Sequence, residues 1–129
     1  METILAIDYG KRKIGLAYAD SYLATPYSVL RVISDRDAVA KILSVVEKEN
    51  ITLIIIGLPV GDIAEEIKKF KHLLGKNTHV RIEFQDETLT TKMAQHLSKE
   101  AGLKRKKRKL NEDAYAAALI LQEYLDSVL

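Results

Sequence analysis

Apolar positions recur along the chain with two different periods, and their alternation lays out the elements. Thr3 to Ile7 is a short apolar run and Lys13 to Asp20 alternates around small residues, so the pair reads as a hairpin turned through Gly10 to Arg12. Ala24 to Ile33, with Tyr27, Val29, Val32 and Ile33 after Pro26, reads as a third strand. Pro26 sits near its start, where a missing N–H costs least. These three strands are expected to be antiparallel.

Ser34 precedes Asp37 at the spacing of an N-cap and its partner, and Val39, Ile42, Leu43 and Val46 follow at helical spacing. Ile51 to Ile56 is continuously apolar and β-branched, the signature of a parallel strand covered on both faces, with Gly57-Leu58-Pro59 expected to stop it. Asp62 and Glu65 are expected to cap the next helix. Thr78 to Phe84 alternates Val80, Ile82 and Phe84 against Arg81, Glu83 and Gln85, which predicts a strand nearer the sheet edge.

A helix from about Thr90 to Gly102 follows. The last helix is expected to start with Asn111 as N-cap and to bury Ala114, Ala117, Ala118, Leu121 and Leu125. The order predicts an α/β fold over residues 1–129 as a single domain, one mixed sheet with helices on both faces. No internal repeat or long linker interrupts it.

At 129 residues, 47% hydrophobic and 29% charged, the chain has the size and composition of one globular domain. Zero cysteines exclude disulfides, thiolate metal sites and thiol nucleophiles. The longest apolar run is too short to span a membrane and the N-terminus has an acid where a signal peptide carries basic residues, so a cytoplasmic location is expected. Net charge is only +2, yet Lys104, Arg105, Lys106, Lys107, Arg108 and Lys109 form an unbroken cationic run, and the remainder is net acidic. Concentrated charge of this kind suits a local anion-binding patch, although a solvated loop would also account for it.

Asp8 ends an apolar strand just before Tyr9-Gly10, and Asp86 and Glu87 lie beyond another strand. Ligands of such sheets gather at the carboxyl ends of strands. A turn aspartate would also stand at Asp8. Asp113, expected in the first turn of the last helix, shares a face with Ala116, Ala117 and Ile120. Carboxylates from distant segments with no cysteine suit Mg²⁺ or Mn²⁺ rather than zinc, and His72, His79 and His96 lack ligand spacing. Such a set could hold two ions and hydrolyse a phosphodiester, while the basic run contacted the backbone.

These residues resemble the YqgF family of RNase H-like proteins, described as Holliday-junction-resolvase-like or pre-16S rRNA nucleases. The resemblance rests on Asp8-Tyr9-Gly10 with Gly15 and Ala17, on Gly57-Leu58-Pro59, on Asp86 to Thr91, and on Asp113 to Ala117. It implies an RNase H-like fold with a five-stranded mixed sheet and an acidic triad at Asp8, Glu87 and Asp113, with Asp86 the alternate second ligand. It also implies Mg²⁺ or Mn²⁺ as cofactor and structured RNA or branched DNA as partner. Lys11 and Arg12 join the basic run as nucleic-acid contacts in this reading, and Gly10, Gly15, Gly57 and Pro59 shape the site.

The chain departs from the family pattern at Thr88, where an arginine is usual, which predicts one phosphate contact fewer. It also enters the helix after Pro59 sooner than the family usually does, and that short loop is expected to govern substrate choice. The favoured activity is maturation of the 5′ end of pre-16S rRNA, with junction resolution and a non-catalytic RNA-binding role as alternatives. A sugar-kinase-like phosphate turn at Asp8 to Gly15 would need a second domain that 129 residues do not supply. Monomer and homodimer both remain open.

Overall fold

The computed structural model describes residues 2–87 and 105–128, with 105–111 as helix backbone. In chain order it contains β1 (Ile4–Asp8), β2 (Lys13–Ala19), β3 (Thr25–Arg31), α1 (Asp35–Lys48), β4 (Leu53–Leu58), α2 (Ile63–Gly75), β5 (Arg81–Asp86) and α3 (Arg105–Val128). The five strands form one sheet in the order β3-β2-β1-β4-β5. β1 pairs antiparallel with β2, and β2 with β3, while β4 lies parallel to both β1 and β5. The expected mixed sheet, with its antiparallel opening, is therefore present.

Alternation along β1 and β4 divides the core into two layers. Leu5, Ile7, Ile54 and Ile56 face α1 and α2, where Ile42, Ile67, Phe70 and Leu74 are buried. Ile4, Ala6, Leu53 and Ile55 face α3, where Ala117, Ala118, Ile120 and Leu121 are buried. The first layer is built from large side chains, each contributing about 1.5–3 kcal/mol when withdrawn from water. The second is rich in alanine, which draws α3 down onto the sheet.

Ser34 caps α1 as its spacing predicts: its backbone is extended and its Oγ accepts the Asp37 N–H at 3.1 Å. Asp37 returns the bond one residue earlier, accepting the Ile33 N–H at 3.0 Å. The helix ends in a left-handed turn at Asn50 (φ 53°), where Ile51 N–H bonds the Val46 carbonyl and Asn50 N–H the Glu47 carbonyl. That is a Schellman closure with asparagine in place of glycine.

Strand ends shift by up to three residues, and four differences matter for the site. β4 runs through Gly57 and Leu58, so only Pro59 stops it. β5 begins at Arg81 rather than Thr78 and includes Asp86. Asp62 makes no side-chain cap and is itself helical; the turn into α2 is made by Gly61 at φ 111°. α3 begins at Arg105, so Asn111 is an interior residue and not an N-cap, and Asp113 lies two turns into the helix. Lysine and arginine are good helix formers, and the charged run propagates the helix. The helix expected from Thr90 to Gly102 falls outside the described residues. Among those described, no helix is long and apolar enough to cross a membrane.

Candidate functional site

The site lies at the carboxyl ends of β1 and β5, which flank β4, on the face of the sheet that α3 covers. Asp8 continues the set Ile4 and Ala6, so its side chain leaves the sheet on the α3 side. Its register partner on β2 is Gly15. A Cβ at Gly15 would overlap the backbone carbonyl of Asp113 and stand 2.9 Å from Ala114 N, so only glycine lets α3 descend far enough to bring Asp113 beside Asp8. A second close approach fixes the same helix further along: a Cβ at Gly57 would meet Ile120 Cδ1 at 2.5 Å.

Glu87 arrives from the other side. Its N–H donates to the Leu58 carbonyl at 3.2 Å, which extends the β4–β5 ladder by one residue. Ile82 and Phe84 pack in the α1/α2 layer, so Gln85 and Glu87 alternate toward the α3 side while exposed Asp86 turns away from it. Asp8 is pushed up to about 7, by burial first and then by the negative charges of Glu87 and Asp113. Two acids distant in sequence thus act electrostatically on Asp8.

Among the described residues no hydrogen-bond donor and no cation partners the Asp8 carboxylate. Nor do any three acidic or histidine side chains among them already stand drawn together as a metal-holding cluster. Like charges repel until something neutralises them. A half-buried carboxylate, uncompensated among the described residues and with two further carboxylates near it, is a donor set that fits a hard divalent cation.

An open cleft of about 660 Å³ adjoins Asp8 and Asp113, lined also by Tyr9, Gly10, Arg12, Lys13 and Glu112, while Glu87 is not part of its lining. Glu112 and Lys13 are additions that the sequence reading did not single out. Gly10 makes the tight hairpin tip, since a Cβ there would stand 2.5 Å from the Lys13 carbonyl, and the Arg12 carbonyl accepts the Val32 N–H at 2.9 Å. Arg12 faces this cleft, whereas Lys11 pairs with Glu66 at 3.2 Å on the other side of the turn. Arg105, Lys106, Lys107, Arg108 and Lys109 open α3, while Lys104 and Thr88 lie outside the described residues. The loop after Pro59 is as short as expected, with Gly61 and Asp62 leading directly into α2.

Tyr9 was also missed by sequence reasoning. Its hydroxyl donates to Asp35 Oδ1 at 2.6 Å, and its ring stacks on Phe70 with centroids 4.8 Å apart. Burial and the Asp35 contact raise its phenol far above the ordinary value. The turn that carries Asp8 is therefore bolted to α1 and α2 from below. The only sequence signal was an aromatic immediately after the strand-end acid.

A sheet of this order and polarity, with helices on both faces and acids at the carboxyl ends of β1 and β5, defines the RNase H-like class. The chain belongs to the RuvX family, described as Holliday junction resolvase, whose model matches residues 2–127. It is 39% identical over 133 residues to a protein of Rickettsia africae named "Putative pre-16S rRNA nuclease", covering 97% of this chain and 86% of that one. A Rickettsia typhi protein of the same name is 37% identical over 135 residues, covering 98% and 86%. Among solved structures the fold is similar to Thermus thermophilus RuvC in complex with a Holliday junction substrate, with TM-score 0.64 and 16% identity over 99% of this chain and 97% of that one. It is also similar to the fowlpox virus resolvase bound to Holliday junction DNA, with TM-score 0.58 and 12% identity over 98% and 99%.

Proposed function

We propose that the chain is a divalent-metal-dependent endonuclease that hydrolyses phosphodiester bonds in structured nucleic acid, with pre-16S rRNA as its substrate. The observation that carries the reading is Asp8: half-buried, uncompensated among the described residues, and raised to about 7 by its surroundings and the charges of Glu87 and Asp113. A fold alone would keep an alanine or asparagine there at lower cost.

Asp8, Glu87 and Asp113 are the proposed ligands, and Asp86 is set aside because it is exposed and turned away from Asp8. These carboxylates would hold a pair of Mg²⁺ or Mn²⁺ ions, which would supply water activation and charge neutralisation for the hydrolysis. Asp8 must give up its proton to bind, which its position near neutrality permits at physiological pH. Arg12 and Lys13 on the cleft wall draw in the phosphodiester. The cationic run from Arg105 to Lys109, on the same helix as Asp113, supplies further positive charge for the phosphate backbone.

The pre-16S assignment is supported by the names of the relatives at 37–39% identity. Junction DNA is the second reading, supported by the family description and by the substrates of the similarly folded resolvases. The test is cleavage of a pre-16S rRNA 5′ fragment beside a four-way DNA junction, each with Mg²⁺ or Mn²⁺. Metal-dependent cleavage of the RNA alone supports the first reading, and of the junction alone the second. Binding of both without cleavage in either metal contradicts the nuclease assignment.

A further inference from the structure

A second cationic surface lies on the opposite layer from Asp8. Lys68, Lys71, His72 and Lys76 recur along α2 and its C-cap at i, i+3, i+4 and i+8, a single helical face. With Val80, Ile82 and Phe84 they bound an open cleft of about 630 Å³ between α2 and β5, and among the described residues no acid lines it. Lys71 Nζ lies 5.2 Å from the centre of the Phe84 ring.

This arrangement is not explained by stability. Lys68 and Lys71 are like charges at i, i+3, which costs a few tenths of a kcal/mol. The dipole favours His72 and Lys76 near the helix C-terminus but does nothing for Lys68 or Lys71 in its middle. Lys68 has one acidic contact, Glu65 at 3.5 Å, between two exposed side chains, and such pairs contribute little.

We propose that the α2–β5 cleft binds the phosphate backbone of a duplex arm belonging to the same nucleic acid whose scissile strand lies at Asp8. The inference rests on the nuclease reading above and adds a second binding site to it. Charge complementarity selects the occupant. Flexible lysine point charges suit a polyanion and carry no sequence information. Helical rise spreads Lys68 to Lys76 over about 12 Å, or about three to four base-pair steps. Phe84 and Glu87 are three residues apart, so the cleft starts about 10 Å along β5 from the acids. The sheet edge lies between cleft and acids, so a straight strand cannot occupy both. A bent or branched substrate can, one arm passing over the edge strand β5.

The test measures affinity in EDTA against salt concentration for a four-way junction and for one of its arms as an isolated duplex, each made in RNA and in DNA. The Lys68→Ala/Lys71→Ala/Lys76→Ala variant is compared with wild type and with the triple Lys→Arg variant. The slope of log affinity against log salt is expected to fall by about 2 to 3 for the junction and by less for the isolated arm, which reaches one surface or the other but not both at once, with wild-type values for the Arg variant. Acetylation footprinting of wild type gives a readout independent of the variants' folding: the junction should protect Lys68, Lys71 and Lys76. An unchanged slope, or no protection, while wild type still binds and cleaves overturns this inference alone. Equal weakening on both probes overturns the second-arm placement. A wild type that binds neither probe overturns this inference and the nuclease reading together.

Discussion

The backbone of Asp113 rests directly on Gly15, with no room for even a methyl group between helix and strand. Because Gly15 is also the register partner of Asp8, one glycine sets the separation of two acids that enter from β1 and α3. Gly15→Ala must push α3 away from β2, backbone against backbone. The expected cost is about 1–3 kcal/mol or more, read as a lowered Tm, with cleavage falling further than stability explains. Gly57→Ala meets the Ile120 side chain, hardest at Cδ1 (2.5 Å) and less at Cγ1 (3.3 Å), so Ile120→Val, which removes Cδ1, should restore part of its loss in a double-mutant cycle.

Asp8 is expected to trade stability for function. Unfolded, its carboxyl has the ordinary aspartate value of 3.8; folded, it is pushed up to about 7. Between those values the folded chain binds the extra proton, so stability falls as pH rises through the window and the full penalty is present above it. Asp8→Asn should therefore be more stable than wild type by about 2–4 kcal/mol in metal-free buffer at about pH 8. The difference should vanish below about pH 4. Thermal melts across pH check this.

The same titration couples to metal. Binding requires the ionised carboxylate, so Mg²⁺ or Mn²⁺ affinity should weaken about tenfold for each pH unit below the Asp8 transition and level off above it. Calorimetric titrations at several pH values should show about one proton released per binding event at the acid end. Added metal should raise the Tm of wild type and leave Asp8→Asn unchanged.

Much of this architecture was legible beforehand, and the parts that were not share a cause. Ser34 announced α1 because a cap is local chemistry, and the unbroken Ile54-Ile55-Ile56 announced a central strand because burial on both faces leaves no polar position. Asp8 stood out as an acid closing an apolar strand. The start of α3 was misread because a cationic run looks like a loop, although its residues favour helix; no cap signal marks Arg105. Asp86 and Glu87 could not be separated until the β5 register was known, since one residue reverses which face a side chain takes. The Gly15–Asp113 contact spans 98 positions and belongs to tertiary packing alone.

Tyr9 anchors the Asp8 turn through one hydrogen bond and one stack. Tyr9→Phe removes only the bond, and should cost about 1 kcal/mol. Tyr9→Ala removes both and leaves a void over Phe70, with about 3–5 kcal/mol expected. If the anchor positions Asp8, cleavage by Tyr9→Phe should fall more than its Tm does, and denaturation beside single-turnover cleavage separates the two effects.

The most direct measurement compares single-turnover cleavage of one pre-16S rRNA 5′ fragment in Mn²⁺ by wild type, Asp8→Asn, Glu87→Gln, Asp113→Asn and Asp86→Asn, with binding measured alongside. The account predicts that the first three substitutions reduce the rate by about 100-fold or more while binding is retained, and that Asp86→Asn cleaves like wild type. Asp8→Asn cleaving at the wild-type rate, or Asp86→Asn failing where Glu87→Gln succeeds, would contradict it.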